Sequence, residues 1–134
     1  MKTLVIGAAI IDIIMKIKRL PKSGEDILCS ETVSAVGGCA YNVAGTLRGF
    51  GVDHDLFVPV GRGMYGDMIA GDLEKLGYQI LIREEESDNG YCLCLVEEDG
   101  ERTFITVKGA EGRFRHSWFE QLSQDAYDSI YVAG

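Results

Sequence analysis

Apolar residues recur along this chain with two different periods, and the changes of period mark out its elements. Thr3 to Ile6 is a short continuous apolar run closed by Gly7, which predicts a buried strand. Ile13 to Leu20 alternates loosely and stops at Pro21-Lys22-Ser23-Gly24, and Ile27 to Val36 predicts one or two further short strands, polar on one side. After Gly37-Gly38 the period becomes helical, with Ala40, Val43, Ala44 and Leu47 on one face. Asp55 to Val60 predicts a strand. The turn Gly61-Arg62-Gly63-Met64-Tyr65-Gly66 then opens a helix with Met68, Ile69, Leu73 and Leu76 on one face, ending at Gly77. Gln79 to Ile82 is strand-like and Asp88-Asn89-Gly90 is a turn. Tyr91 to Glu97 and Arg102 to Val107 flank Asp99-Gly100, a hairpin signal. Trp118 to Leu122 predicts a short helix and Tyr127 to Val132 a last strand with nothing after it to cover it. Strands alternating with helices make this an α/β chain. Segments 13–36 and 91–107 predict a small separate sheet beside the core, placed as a flap over a ligand.

Size and charge narrow the function. The 134 residues, 46% hydrophobic, amount to one domain with a real core and no internal repeat. A net charge of −8 at pH 7, with no lysine or arginine stripe, argues against a grip on nucleic acid. Cysteines 29, 39, 92 and 94 include no C-x-x-C pair and have only His54 and His116 to join them, so neither a metal site nor a disulfide framework is expected. Leu4-Val5-Ile6 is too short for a signal peptide, Asp12 interrupts the apolar run behind it, and no segment is long enough to span a membrane; a cytoplasmic protein is expected.

The candidate chemistry starts at Asp12. A carboxylate among apolar neighbours is costly unless something pairs with it. Placed at the carboxyl end of the first strand, it would accept hydrogen bonds from substrate hydroxyls, because ligands of open α/β sheets collect there; a helix cap or exposed loop acid is the other reading. Gly37 and Gly38 let the backbone approach a ligand closely. Asn42, in the first turn of the helix that follows, offers both a donor and an acceptor to a hydroxylated molecule. A tight turn and a packed helix would also account for the pair. Gly61-x-Gly63-x-x-Gly66 between strand and helix is the rival motif, since it matches a dinucleotide-binding turn. It follows a whole strand–helix unit rather than opening the first, and Met64 and Tyr65 make a bulky approach to a pyrophosphate. Ala70-Gly71-Asp72 falls inside a periodic helix and reads as helix surface. No Walker-type loop and no Ser/His/Asp set is present, and His54 and His116 read as loop and helix-start residues.

With those residues in place, the chain resembles the N-terminal part of a ribokinase-like (PfkB) carbohydrate kinase. Gly37, Gly38, Ala40, Asn42, Ala44, Gly51 and Gly61 satisfy the family's first signature. Asp12, Leu20-Pro21-x-x-Gly24-Glu25 and Gly109-Ala110-Glu111 follow in the family's order, so the resemblance covers essentially the whole chain; Gly63, where relatives commonly carry an acid, departs from it. The resemblance implies a Rossmann-like three-layer core with a β-sheet lid, over one domain spanning residues 1–134. It implies that Asp12 and Asn42 hold sugar hydroxyls and that Gly37 and Gly38 act as the lid's hinge. It also implies transfer of the ATP γ-phosphate to a sugar or nucleoside hydroxyl with Mg2+, and a homodimer through the lid. The family's Gly-Ala-Gly-Asp anion hole, catalytic base and ATP site belong to its C-terminal half, so no catalytic residue is expected in these 134, which should be inactive alone. Tyr41, Tyr91 and Cys39 stay open between contact with a ring and plain packing.

Overall fold

Alternation within the first strand decides how the layers form. In β1 (Thr3–Ile6), Leu4 and Ile6 face one side of a sheet and Val5 the other. The computed structural model describes residues 1–134, apart from the side chain of residue 124. β1 lies between β4 (His54–Phe57) and β9 (Ser129–Val132), parallel to both. Val58 alone separates β4 from β5 (Pro59–Val60), which pairs in parallel with β6 (Ile82–Arg83). Val5, Leu56, Val58 and Val60 pack against Ala40 and Ala44 of α1 (Cys39–Gly49) and Ile69 and Leu73 of α2 (Met64–Lys75). On the other face Leu4, Ile6, Phe57 and Ile82 meet Trp118, Leu122 and Tyr127, from the stretch that includes the short α3 (His116–Phe119). Helix, sheet and irregular cover make three layers, the architecture of an α/β fold.

Both long helices stop for the same reason. Gly51 (φ +69°) donates to the Arg48 carbonyl and Val52 to that of Leu47; Gly77 (φ +82°) donates to Glu74 and Tyr78 to Leu73. Each is a Schellman cap, in which a left-handed residue closes the last turn and glycine takes that conformation without strain.

A second sheet, in the order β3-β2-β7-β8, joins β2 (Ile10–Lys16), β3 (Glu31–Gly37), β7 (Tyr91–Val96) and β8 (Arg102–Val107). β2 runs parallel to β7, and both outer pairings are antiparallel. Ile11 is fully buried, and with Ile13, Val36 and Tyr91 it leans one face of this sheet on the core under α1 and α2. The hairpin strands lie where their periodicity put them. Other boundaries move. β2 starts at Ile10, so Asp12 is its third residue and does not sit at the end of β1. Residues 27–30 are outside β3: Leu28 is 92% exposed, and the Lys16–Glu31 pairing closes the ladder. Of Gln79 to Ile82 only Ile82 is in a strand, the Asp55–Val60 strand breaks at Val58, the late helix is His116–Phe119, and the last strand begins at Ser129.

The two sheets are tied by buried polar side chains between the chain crossings. Asn89, 3% exposed, donates through Nδ2 to the carbonyls of Ala9 (3.2 Å) and Pro59 (3.0 Å), and its Oδ1 accepts from Gly61 N–H (2.7 Å). Two acceptors and one donor fix its amide in a single orientation. Glu111, buried in a single helical turn at Ala110–Gly112, accepts from Gly90 N–H (2.8 Å) and Gly109 N–H (2.9 Å). Gly90 and Gly109 cross backbone to backbone, where a Cβ on either would collide with the other strand. Asn89→Ala strands two carbonyls and an amide, and we expect it to lower stability by about 3 kcal/mol in urea denaturation. Asn89→Asp, which keeps the acceptor but turns an oxygen toward both carbonyls, should be no better.

Candidate active site

The chain between β1 and β2 carries Asp12 to the junction of the two sheets. Asp12 pairs with Ala35 on β3 and Cys92 on β7. Its carboxylate lies against the Cα of Gly37, and a side chain there would collide with it. Gly38 has φ +103°, a conformation that favours glycine, and packs on the Ala8–Ala9 backbone, so any larger residue would push α1 off the sheet. The Asp12 carboxylate makes no hydrogen bond or ion pair among the described residues. Burial without a compensating partner raises its pKa above the ordinary 3.8.

Two of the hollows in the structure bear on the candidate residues. One, of about 480 Å³, opens at the carboxyl ends of β1 and β9 and is lined by Gly7, Ala8, Ile10, Thr106, Lys108 and Phe114 among others. Ile10 shares a sheet face with Asp12 two residues on, and Thr106 lies on that face two strands away, through the pairs Asp12–Cys92 and Cys92–Thr106. Asp12 therefore stands on the side of the sheet that borders this cavity. The other hollow, about 320 Å³, lies over α1 and is lined by Tyr41, Asn42, Thr46, Arg48 and Tyr78. Asn42 is exposed, its amide N–H bonds to the Gly38 carbonyl (3.0 Å), and its side chain has no partner among the described residues. Asp12 lines neither of these hollows. The structure brings Asp12 and Gly37 together and sets Asn42 one helical turn beyond Gly38, but Asp12 and Asn42 share no wall of a described cavity.

The rival glycine motif is occupied by the protein itself. Asp88 Oδ1 accepts from Gly66 N–H (2.6 Å) and Asn89 N–H (2.8 Å), and Oδ2 from Tyr65 N–H (3.2 Å). Cβ atoms on Gly61, Gly63 and Gly66 would each collide with the Ser87–Asn89 segment or the turn itself. The glycines make room for a carboxylate on the helix N-terminus, where a dinucleotide would place its pyrophosphate. The dinucleotide reading fails on that geometry, and this turn does not fit the phosphates of ATP either. The aromatic candidates have partners within the fold: the Tyr41 hydroxyl bonds Asp72 across α1 and α2, and the Tyr91 ring packs tilted against Tyr65 with centroids 5.0 Å apart. Burial first, then the Asp72 bond, pushes the Tyr41 phenol up to about 12. Asp72, read as helix surface, is thus half-buried and joins two helices. Cys39 is exposed; His54 sits between the Val52 carbonyl (2.7 Å) and the Tyr78 hydroxyl (2.7 Å), and exposed His116 faces Glu120 at 3.7 Å. Sequence reasoning missed Asp88, Asn89, Glu111 and Thr106. The first three had only a turn signal or a position after Gly109-Ala110, and Thr106 looked like any outward strand residue.

A parallel α/β sheet with an inserted four-stranded sheet at its carboxyl end, and a carboxylate against a diglycine at the junction, defines a ribokinase-like fold. The chain belongs to the pfkB family of carbohydrate kinases, whose model matches residues 1–134. It is 39% identical over 131 residues to an uncharacterized sugar kinase, YegV, of Escherichia coli strain K12, covering 98% of this chain and 41% of that protein. The structure of ribokinase from Giardia lamblia superposes with a TM-score of 0.86 at 23% identity, over 98% of this chain and 44% of that one. Arabidopsis thaliana ribokinase, solved with ribose and ATP, gives a TM-score of 0.76 at 25% identity, over 97% and 44%. The chain thus spans less than half the length of each of these relatives.

A raised carboxyl pKa predicts the sign of a stability effect. Below the ordinary value of 3.8 Asp12 is protonated folded and unfolded and costs nothing; as pH rises through its higher folded value, the desolvated charge lowers stability. Asp12→Asn should therefore match or exceed the wild type in thermal unfolding at pH 7, with the difference shrinking toward zero below pH 3.8. A large loss of stability at pH 7 would mean that the carboxylate is structural.

Proposed function

We propose that this chain is the substrate-binding part of a kinase that transfers the γ-phosphoryl group of ATP to a hydroxyl of a sugar or nucleoside. Asp12 carries the reading: an unpaired, half-buried carboxylate beside Gly37, on the sheet face that borders the cavity at the strand ends. Such a group lowers stability, and hydroxyl donors from a polyol would offset that cost. Membership of the pfkB family supports the same substrate class. In this reading the second sheet, segments 13–36 and 91–107, is a lid, with Gly37 and Gly38 as its hinge. Asn42 joins the site from α1, its carboxamide being exposed and free of partners among the described residues. Phosphoryl transfer needs a positioned donor and charge stabilisation at the transferring group. MgATP, the anion hole and the base would come from residues outside these 134, which alone are expected to be inactive. A cytoplasmic setting goes with this reading; no helix here is long and apolar enough to cross a membrane.

Isothermal titration and steady-state kinetics on the complete protein, with a panel of sugars and nucleosides and MgATP, test this. Asp12→Ala and Asn42→Ala should each lower kcat/KM at least tenfold, about 1.4 kcal/mol in transition-state binding. Unchanged affinity in both variants overturns the assignment.

The lid also supplies a surface for a second copy. β8 is an edge strand exposing Phe104 (58%), Ile105 and Val107, and β3 at the opposite edge exposes Val33. Unpaired strand edges with apolar side chains invite pairing, so a homodimer through the lid is expected. Light scattering should give twice the monomer mass, and Ile105→Lys should return it to monomer; a wild-type monomer at high concentration refutes the pairing.

A further inference from the structure

The polar lining of the strand-end cavity includes a hydroxyl that the fold does not use. Thr106 Oγ1 has as its one partner among the described residues the Cys92 sulfur, at 3.4 Å, and a thiol is a weak acceptor. The residue is exposed, lines the cavity with Ile10 and Lys108, and sits on an edge strand, where the ladder makes no demand for threonine in particular. Its register matters more. Ala35, Asp12, Cys92 and Thr106 form one row across all four strands, on one face. The row reads small, acidic, small, hydroxyl: two polar groups separated by a side chain too short to stand between them.

Strands are spaced about 4.8 Å apart, so the backbones of Asp12 and Thr106 are separated by roughly 10 Å, with the Asp12 carboxylate leaning to the Gly37 side of its strand. A ligand that bonds both must therefore reach across more than one strand, with a hydrogen bond of about 2.8 Å at each end. A sugar ring with hydroxyls on opposite sides is a ligand of that shape, and Cys92, the residue between the two in the row, is short enough to leave room for it. Asp12 can only accept when ionised, whereas the Thr106 hydroxyl both donates and accepts. We propose that Thr106 is a specificity-determining residue of the lid, hydrogen-bonding a second hydroxyl of the sugar ring that Asp12 holds. The inference rests on the kinase reading given above. A site built to bond a hydroxyl rejects analogues lacking it far more strongly than an apolar pocket rejects an added one. Thr106 thereby selects for a ring hydroxyl at one position, and Ile10, elsewhere in the lining of the same cavity, offers the ring no polar side chain.

The test is a substrate-by-mutant cycle on the complete protein. Wild type, Thr106→Val (the same shape without the hydroxyl), Thr106→Ser and Asp12→Ala are assayed with MgATP on the best substrate of the panel and its monodeoxy analogues. Thr106→Val should lose about tenfold in kcat/KM on the parent sugar and Thr106→Ser should recover it. For one deoxy analogue, the one lacking the bonded hydroxyl, wild type and Thr106→Val should be equal. Thr106→Val equal to wild type on every substrate, or impaired by the same factor on every analogue, overturns the inference while Asp12→Ala still reports sugar binding. If no panel member is phosphorylated and Asp12→Ala changes nothing, the kinase reading itself fails and takes this one with it.

Discussion

Every crossing between the two sheets depends on one constraint: buried backbone amides and carbonyls at the junction must find partners without water. The chain leaves one sheet for the rest of the fold at residues 7–9, 38, 88–90 and 108–110, and at those points it is in neither ladder. Asn89 serves the crossing at Ala9, the Pro59 carbonyl of β5 and the turn at Gly61, Asp88 serves the start of α2, and Glu111 serves Gly90 and Gly109. A buried polar group left unpaired costs of the order of the net gain from two hydrogen bonds. The junction is therefore either fully connected or strongly destabilised, and glycine at Gly90 and Gly109 lets the backbones come close enough for one carboxylate to reach both.

Set against that connected junction, Asp12 stands out. It lies a few residues from Ala9, in the same region, yet no donor reaches it among the described residues. Asp88, Asn89 and Glu111 show what this sequence does with polar groups that serve the fold: each oxygen is spoken for. The contrast is what the proposed role of Asp12 rests on, because a desolvated carboxylate carries a cost that donors from a ligand would offset. Gly37 belongs to the same argument. Its missing side chain is the space that the Asp12 carboxylate fills, so the acid and the glycine are one feature reached from two strands.

How much of this could be read in advance follows from range. Elements set by local periodicity and closed by a local stop were visible: β1 at Gly7, α1 and α2 up to their left-handed glycines, and the hairpin about Asp99-Gly100. Where a stretch has the composition of a strand but no partner, periodicity misleads, as with residues 27–30, whose Leu28 stands in solvent. Asp12 was conspicuous as an acid in an apolar run, but its strand was not, because β2 gains its register from β3 and β7, far along the chain. Asn42 was legible as a residue type and not as a position: helical spacing put it on α1 without saying which hollow it would line. Asp88 lies 22 residues from the amide it caps and Asn89 80 residues from the Ala9 carbonyl, distances over which sequence carries no pairing signal.

The glycine-rich turn at Gly61 to Gly66 shows why a motif needs its surroundings. Its spacing does what such spacing does elsewhere: it opens a helix and clears side chains from the helix N-terminus, where amide N–H groups and the helix dipole favour negative charge. Nothing in that physics requires the charge to belong to a cofactor. Here Asp88 arrives from the neighbouring loop, takes two of the free amides and holds the next residue, Asn89, in place beneath the sheets. An external phosphate would have to displace a carboxylate that also anchors the junction through Asn89. The demand for an anion at this helix is met from within the chain, by a carboxylate that the fold itself needs.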